Sequence, residues 1–172
     1  MQLLDPILNW GPVSRVRRNH ALEHATLQVL SRINPRRSLA GYSDGGGFWI
    51  LGNVSTEELQ QAVDEALARL HAGERGLVIH PYCGTNFAIT GLLAGSAAWL
   101  AMLTGGGNLR RKLERWPLVV VLVTFAVIVA QPLGPLFQAR LTTQADVGAL
   151  QVTEIIRFQR GGTQMHRVGT RH

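Results

Sequence analysis

The chain has 172 residues, about one domain's worth by length. Its 17 Lys and Arg against 11 Asp and Glu leave a formal charge of +6, yet only 16% of residues are charged and mean hydropathy is +0.09. The single cysteine, Cys83, excludes an internal disulfide framework, and basic residues scattered without an aromatic-rich basic strand argue against nucleic acid as a partner.

The N-terminal stretch MQLLDPILNWGPVSRVRR does not read as a signal peptide, because Asp5 and Pro6 interrupt any apolar run and the basic residues follow it. Residues 13–33 then predict a helix. Ser14 can cap it, Val16, Leu22, Ala25, Val29 and Ile33 approximate one apolar stripe, and Asn34-Pro35 ends it. Two β-prone runs, 39–42 and 48–51, flank Asp44-Gly45-Gly46-Gly47 and predict a hairpin. A second helix spans 56–72. Ser55-Thr56-Glu57-Glu58 is a capping box, Leu59, Ala62, Val63, Ala66, Leu67 and Leu70 form the buried face, and Gly73 closes the end. Residues 76–79 read as a strand leading into His80-Pro81-Tyr82-Cys83-Gly84-Thr85-Asn86, where Asn86 stands at the N-cap of the next helix.

No Lys, Arg, Asp or Glu occurs between Arg75 and Arg110, nor between Arg115 and Arg140. Crossing the hydrocarbon core takes about 20 apolar residues. Residues 118–137 meet that length and 87–104 lie at its short end, the former with Pro132 and Pro135 expected to kink or end it. Gly105-Gly106-Gly107-Asn108 and the basic stretch that follows make the two spans an antiparallel hairpin. Gly91 and Gly95 offer a small-residue face for close helix approach or for other membrane subunits. The tail regains soluble character: 150–158 alternates and is β-prone, Gly161-Gly162 makes a turn, and 164–168 returns as a second strand.

The expected fold class is therefore α+β. A small α-β-β-α-β N-terminal domain occupies 1–86, a transmembrane hairpin comprises 87–104 and 118–137 around a basic loop at 105–117, and a β-hairpin tail fills 138–172. The lipid bilayer is the expected partner and the bacterial plasma membrane the expected location. The excess positive charge suits an anionic lipid surface. The charge of the 105–117 loop would place that loop in the cytoplasm and the polar domain outside. The lone reactive cysteine and the lack of a secretory signal favour a cytoplasmic polar domain instead.

The chemistry concentrates in two clusters. His20-Ala21-Leu22-Glu23-His24 places two imidazoles at i and i+4, one above the other on a helix face, with Glu23 at the edge of the same site. Neutral imidazoles beside a carboxylate suit zinc, which lowers the pKa of bound water to about 7. Glu23 is then the candidate general base. The second cluster, around His80 and Cys83, holds two further first-rank ligands. A catalytic zinc takes three protein ligands and keeps one open position. His80 is the first choice for the third ligand and Cys83 the second, with Asp64 and Glu65 as acidic alternatives; binding by all four would make a closed, structural site. A different reading makes Cys83 a nucleophile with His80 or His24 as its base. His71, His166 and His172 are assigned no role.

HALEHATLQVL followed by HPYCGTN, two spans and a β-prone tail resembles a family of uncharacterised small bacterial membrane proteins, over nearly the whole chain. That resemblance implies the two-span architecture and brings no activity. The five positions of His20 to His24 also resemble the motif of inverted-zincin metallopeptidases. It implies zinc on His20 and His24 and a general base at Glu23. Those peptidases are far larger and take a glutamate from a downstream helix, at a longer interval than Asp64 or Glu65 offers here.

Two functions follow as expectations. One is a membrane-anchored zinc protein with metal-dependent hydrolase or peptidase activity. The other is a non-enzymatic subunit or assembly factor of a membrane complex, with a structural metal or a plain histidine cluster.

Overall fold

The computed structural model describes residues 4–103 and 109–172. The 105–108 turn expected at the tip of the helical hairpin lies outside the described residues. The chain forms two compact units. The first combines Met1–His80 with Gln138–His172, and the second is Pro81–Phe137. The tail thus joins the N-terminal residues.

In the first unit a short helix, α1 (Asp5–Leu8), precedes the long α2 (Gly11–Ile33). Pro12 lies in the first turn of α2, where a missing N–H costs nothing. The expected cap, Ser14, lies inside the helix, and its hydroxyl donates to Gln144 Oε1 at 3.0 Å. β1 (Ala40–Asp44) and β2 (Gly47–Leu51) form the expected hairpin, in which the Asp44 carboxylate accepts from Gly46 N at 2.8 Å. α3 (Thr56–His71) starts at Ser55, whose hydroxyl accepts from Glu58 N at 3.1 Å, as the capping box requires. Gly73, just past its end, takes the left-handed conformation (φ +88°) that favours glycine.

Two expectations change here. Residues 76–79 are not a strand: Arg75–Val78 is a 3₁₀ turn, buried through Leu77 and Val78. Glycine at 76 removes one side chain from a run too short to pair with a neighbouring strand. The tail hairpin, β3 (Gln151–Arg160) and β4 (Thr163–Arg171), is not a separate module. β4 pairs antiparallel with β2, giving one four-stranded sheet in the order β1-β2-β4-β3.

Strand alternation decides which face is covered. Phe48 and Ile50 of β2 and His166 and Val168 of β4 are fully buried, whereas Trp49 and Arg167 between them lie on the other face. The inner face packs with Leu22, Ala25, Val29 and Leu30 of α2 and Leu59, Val63, Ala66 and Leu70 of α3 into one core. Val16 and Ile33, expected on the apolar stripe, are exposed. Burial of one large aliphatic or aromatic side chain is worth about 1.5–3 kcal/mol, so this shared core rather than either helix alone holds the unit.

The second unit is helical. α4 (Gly84–Leu103) and α6 (Trp116–Phe137) pack along each other, with α5 (Leu109–Glu114) lying in the stretch expected as a basic loop. They run antiparallel: Asn86 meets Gly134, while Arg115 donates to Ala101 O at 3.3 Å. The Asn86 amide donates to Pro81 O at 2.7 Å, and the helix begins two residues before it, so Asn86 is not the cap. The close approach of the helices falls at Gly134. A Cβ at Gly91 or Gly95 would meet nothing within 4 Å among the described residues. Pro132 and Pro135 lie inside α6, which runs on to Phe137. Beyond it the backbone widens into a π turn over Gln138–Thr142, in which Thr143 N donates to Gln138 O at 3.0 Å. Two described helices are long and apolar enough to cross a membrane.

Candidate metal centre

α2 carries the first cluster on its buried side. His24 and Glu23 are buried, and His20 is half-buried. The i, i+4 spacing brings the His20 and His24 rings together edge to face, with centroids 4.2 Å apart. Each ring is held from outside its own helix. His20 Nδ1 lies 2.9 Å from Thr142 O on the π turn, and His24 Nδ1 lies 2.6 Å from Val78 O on the 3₁₀ turn. A carbonyl oxygen only accepts, so both Nδ1 atoms carry a proton, which leaves Nε2 as the atom each ring can offer to a ligand. A backbone carbonyl on the far nitrogen of each ring is the arrangement that orients metal-ligating histidines and raises their basicity.

His80 joins them. Its ring centroid is 5.5 Å from that of His24. Its peptide is fixed by the buried Gln138: His80 N donates to Gln138 Oε1 at 2.8 Å, and Gln138 Nε2 donates to His80 O at 3.1 Å. Burial, with a smaller contribution from the charge of His24, pushes the His80 imidazole down to about 4. His80 is therefore neutral at pH 7, the form that coordinates metal.

Glu23 turns toward β1. Ser43 Oγ donates to Glu23 Oε2, and the side chain lies over Gly41, where a Cβ would stand 2.5 Å from Glu23 Oε1. Burial raises the carboxyl above its ordinary range, while the Ser43 hydrogen bond and the charge of His20 oppose that rise. A buried carboxylate with a raised pKa is a stronger base than an exposed one, which suits proton abstraction near neutral pH.

Cys83 is a buried cysteine three residues after His80, and Thr85 N donates to its Sγ at 3.4 Å. His20, His24 and Cys83 each offer one ligand atom to a His/His/Cys group that could hold a metal ion. The acidic alternatives stand elsewhere. Asp64 and Glu65 are on the exposed side of α3, where Asp64 accepts from Gln60 and Glu65 pairs with Arg69. His71 is exposed at the end of α3. His166, given no role from sequence, is fully buried on β4 with Nε2 3.1 Å from Thr56 Oγ1. Sequence reasoning did not find Gly41, Ser43, Gln138 or Thr142. Gly41 and Ser43 alternate on a predicted strand and so share a face, which was the available signal; the other two sit at the end of an apolar run and gave none.

Residues 15–155 match the model of DUF6391, a domain of unknown function. The chain belongs to the DUF6391 family. The match takes in both clusters, from His20 to Cys83, and both apolar helices. An uncharacterised protein of the cyanobacterium Picosynechococcus sp. (strain ATCC 27264 / PCC 7002 / PR-6) is 44% identical over 98 residues, 49% of this chain and 48% of its own length. The chain thus spans about half the length of the curated relative it matches. No solved structure matches the chain.

Proposed function

We propose that this DUF6391 protein is a membrane-anchored metal protein, with zinc held by His20 and His24 together with His80 or Cys83, and Glu23 as the base of a hydrolytic reaction. The observation that carries the reading is the pair of outer hydrogen bonds, His20 Nδ1 to Thr142 O and His24 Nδ1 to Val78 O. Both rings are oriented by fixed backbone with Nε2 as the ligand atom, an arrangement a surface histidine pair does not need. Three imidazoles with nitrogen donors and a thiol suit zinc above the hard cations. Zinc in such a site supplies an activated water. Glu23, buried and held by Ser43, would accept that water's proton. The apolar outer surfaces of α4 and α6, with Leu92, Trp99, Val121 and Phe125 exposed, support anchoring in lipid.

The test is the metal content of the purified chain, wild type beside His24→Ala. One zinc per chain in the wild type and none in the variant is the expected result; no metal in either after zinc is supplied overturns the reading. Glu23→Gln should keep the metal and lose turnover. The second reading is a non-enzymatic subunit of a membrane complex. It is favoured by Gly91 and Gly95, which stand exposed on α4, where an added Cβ would meet nothing within 4 Å among the described residues. A hydroxamate separates the two, since it binds only where a coordination position is open.

A further inference from the structure

β3 is an edge strand, ten residues long and exposed at nearly every position. The other edge, β1, has five residues and is backed by α2, with Asn19 Nδ2 donating to Asp44 O at 2.8 Å. Among the described residues no backbone outside β4 pairs with β3. Long exposed edges invite another strand, and proteins commonly blunt them with lysine, proline or shortness. β3 has neither lysine nor proline, and its one irregularity, between Val152 and Glu154, precedes the regular stretch 154–160; its sequence, QVTEIIRFQR, is rich in β-formers.

The side chains of β3 on the outer face of the sheet follow from its register. Ile156 lies opposite Arg167, and Phe158 contacts Trp49 with ring centroids 5.4 Å apart. By alternation Glu154, Ile156, Phe158 and Arg160 share that face. This series is complementary to its own reversal. In an antiparallel pairing of two copies centred on residue 157, Glu154 faces Arg160 of the second copy, Ile156 faces Phe158, and the same two pairs recur on the other side of the two-fold. Antiparallel neighbours related by a two-fold perpendicular to the sheet must keep one face, which allows only registers that pair residues of the same parity. This register satisfies that condition. Opposite-charge and aromatic–aliphatic cross-strand pairs are both stabilising. The one like-charge pair would be Arg157 with itself on the helix-covered side, and there its guanidinium is drawn toward β4 by a 3.3 Å hydrogen bond to Gln164 Oε1.

We infer that the chain forms a homodimer through β3, with the two four-stranded sheets joined into one of eight strands. Its occupant is a second copy because the edge carries its own complement in charge and shape. The Tyr42, Trp49 and Phe158 aromatic cluster of each copy would then run into that of its partner across Ile156 and Phe158.

The test uses the full-length chain in mild detergent, with mass measured by light scattering. Glu154→Arg and Arg160→Glu each turn two attractive pairs into repulsive ones. Each should raise the dimer dissociation constant about tenfold, from pair contributions of a fraction of a kcal/mol reversed twice. The double variant restores both pairs and should return it to the wild-type value. In the otherwise unaltered chain, Arg157→Cys should cross-link copies under mild oxidation and Gln151→Cys should not. A monomeric wild type, a dimer indifferent to both single reversals, or equal cross-linking from 151 and 157 would each overturn the proposal. The metal reading is unaffected by any of these outcomes, since β3 carries none of its residues.

Discussion

Gly41 is the sharpest point at which the site can be perturbed without touching a candidate ligand. Its backbone is not in the left-handed region, so alanine is allowed there. In a strand interior alanine gains about 0.5–1 kcal/mol over glycine. Against that gain, the new Cβ would stand 2.5 Å from Glu23 Oε1 and 2.9 Å from both Cδ and Cγ. Carbon contacts settle at about 3.5–4.0 Å, so the Glu23 side chain has to swing by roughly an ångström. It is 3% exposed and tied to Ser43, so the swing meets packed neighbours. Overpacking of this kind costs about 1–3 kcal/mol, and Gly41→Ala should therefore lose about 1–2 kcal/mol net. With Glu23→Ala the obstruction is gone, and the same methyl should be neutral or stabilise by up to about 1 kcal/mol. Equilibrium unfolding of the four proteins of the cycle gives the coupling, expected at about 1–3 kcal/mol. An equal effect of Gly41→Ala in both backgrounds would refute the placement of Glu23 over β1.

The helical unit offers a contrast of glycines. Gly134→Val should destabilise the α4–α6 pair by about 1–3 kcal/mol, because its Cβ runs into Asn86, while Gly95→Val should leave that pair intact; thermal unfolding in detergent compares them, and equal effects would count against the close approach at Gly134. His166 should make stability pH-dependent. Burial, aided by the charge of Arg157 and opposed by Glu57, holds its folded pKa below the ordinary 6.5, so the unfolded chain binds the proton first. Stability should fall as pH drops below about 6.5, by at most about 1.4 kcal/mol per pH unit from this group. Melting curves at pH 7.5 and 5.5 should show a smaller difference in His166→Leu than in the wild type; an unchanged difference would assign the effect to other groups.

Local signals carried the local structure. The Ser55 capping box, the Asp44 to Gly47 turn and the apolar face of α3 each depend on residues a few positions apart, and each stands where the sequence placed it. His20 and His24 were readable for the same reason, since helical spacing alone brings their rings together. What the sequence did not disclose depends on distant pairing. The tail strands read as an independent hairpin because nothing local says that Val168 will lie beside Phe48. The 76–79 run has strand-like residues, but without a neighbour to pair with it closes on itself as a 3₁₀ turn. Ser14 looked like a cap, yet Pro12 had already begun the helix, which freed its hydroxyl to reach Gln144. Asp64 and Glu65 were plausible ligands by type; the apolar face of α3, read correctly, turns them to solvent.

The strand order β1-β2-β4-β3 also sets a timetable. β2 and β4 are neighbours in the middle of the sheet, yet Ile50 and His166 lie roughly a hundred residues or more apart in the chain, the range in which loop closure and contact order slow folding. During synthesis β1, β2 and the two helices that cover them emerge first, followed by the whole of α4 to α6, and only then the strand that completes the sheet. Phe48 and Ile50 must wait with one edge of β2 open until β4 arrives. The helical hairpin, by contrast, is made of neighbours in sequence and can close as soon as α6 is complete. The apolar helices are thus finished in sequence before the sheet of the first unit can be, since that sheet needs β4 beside β2.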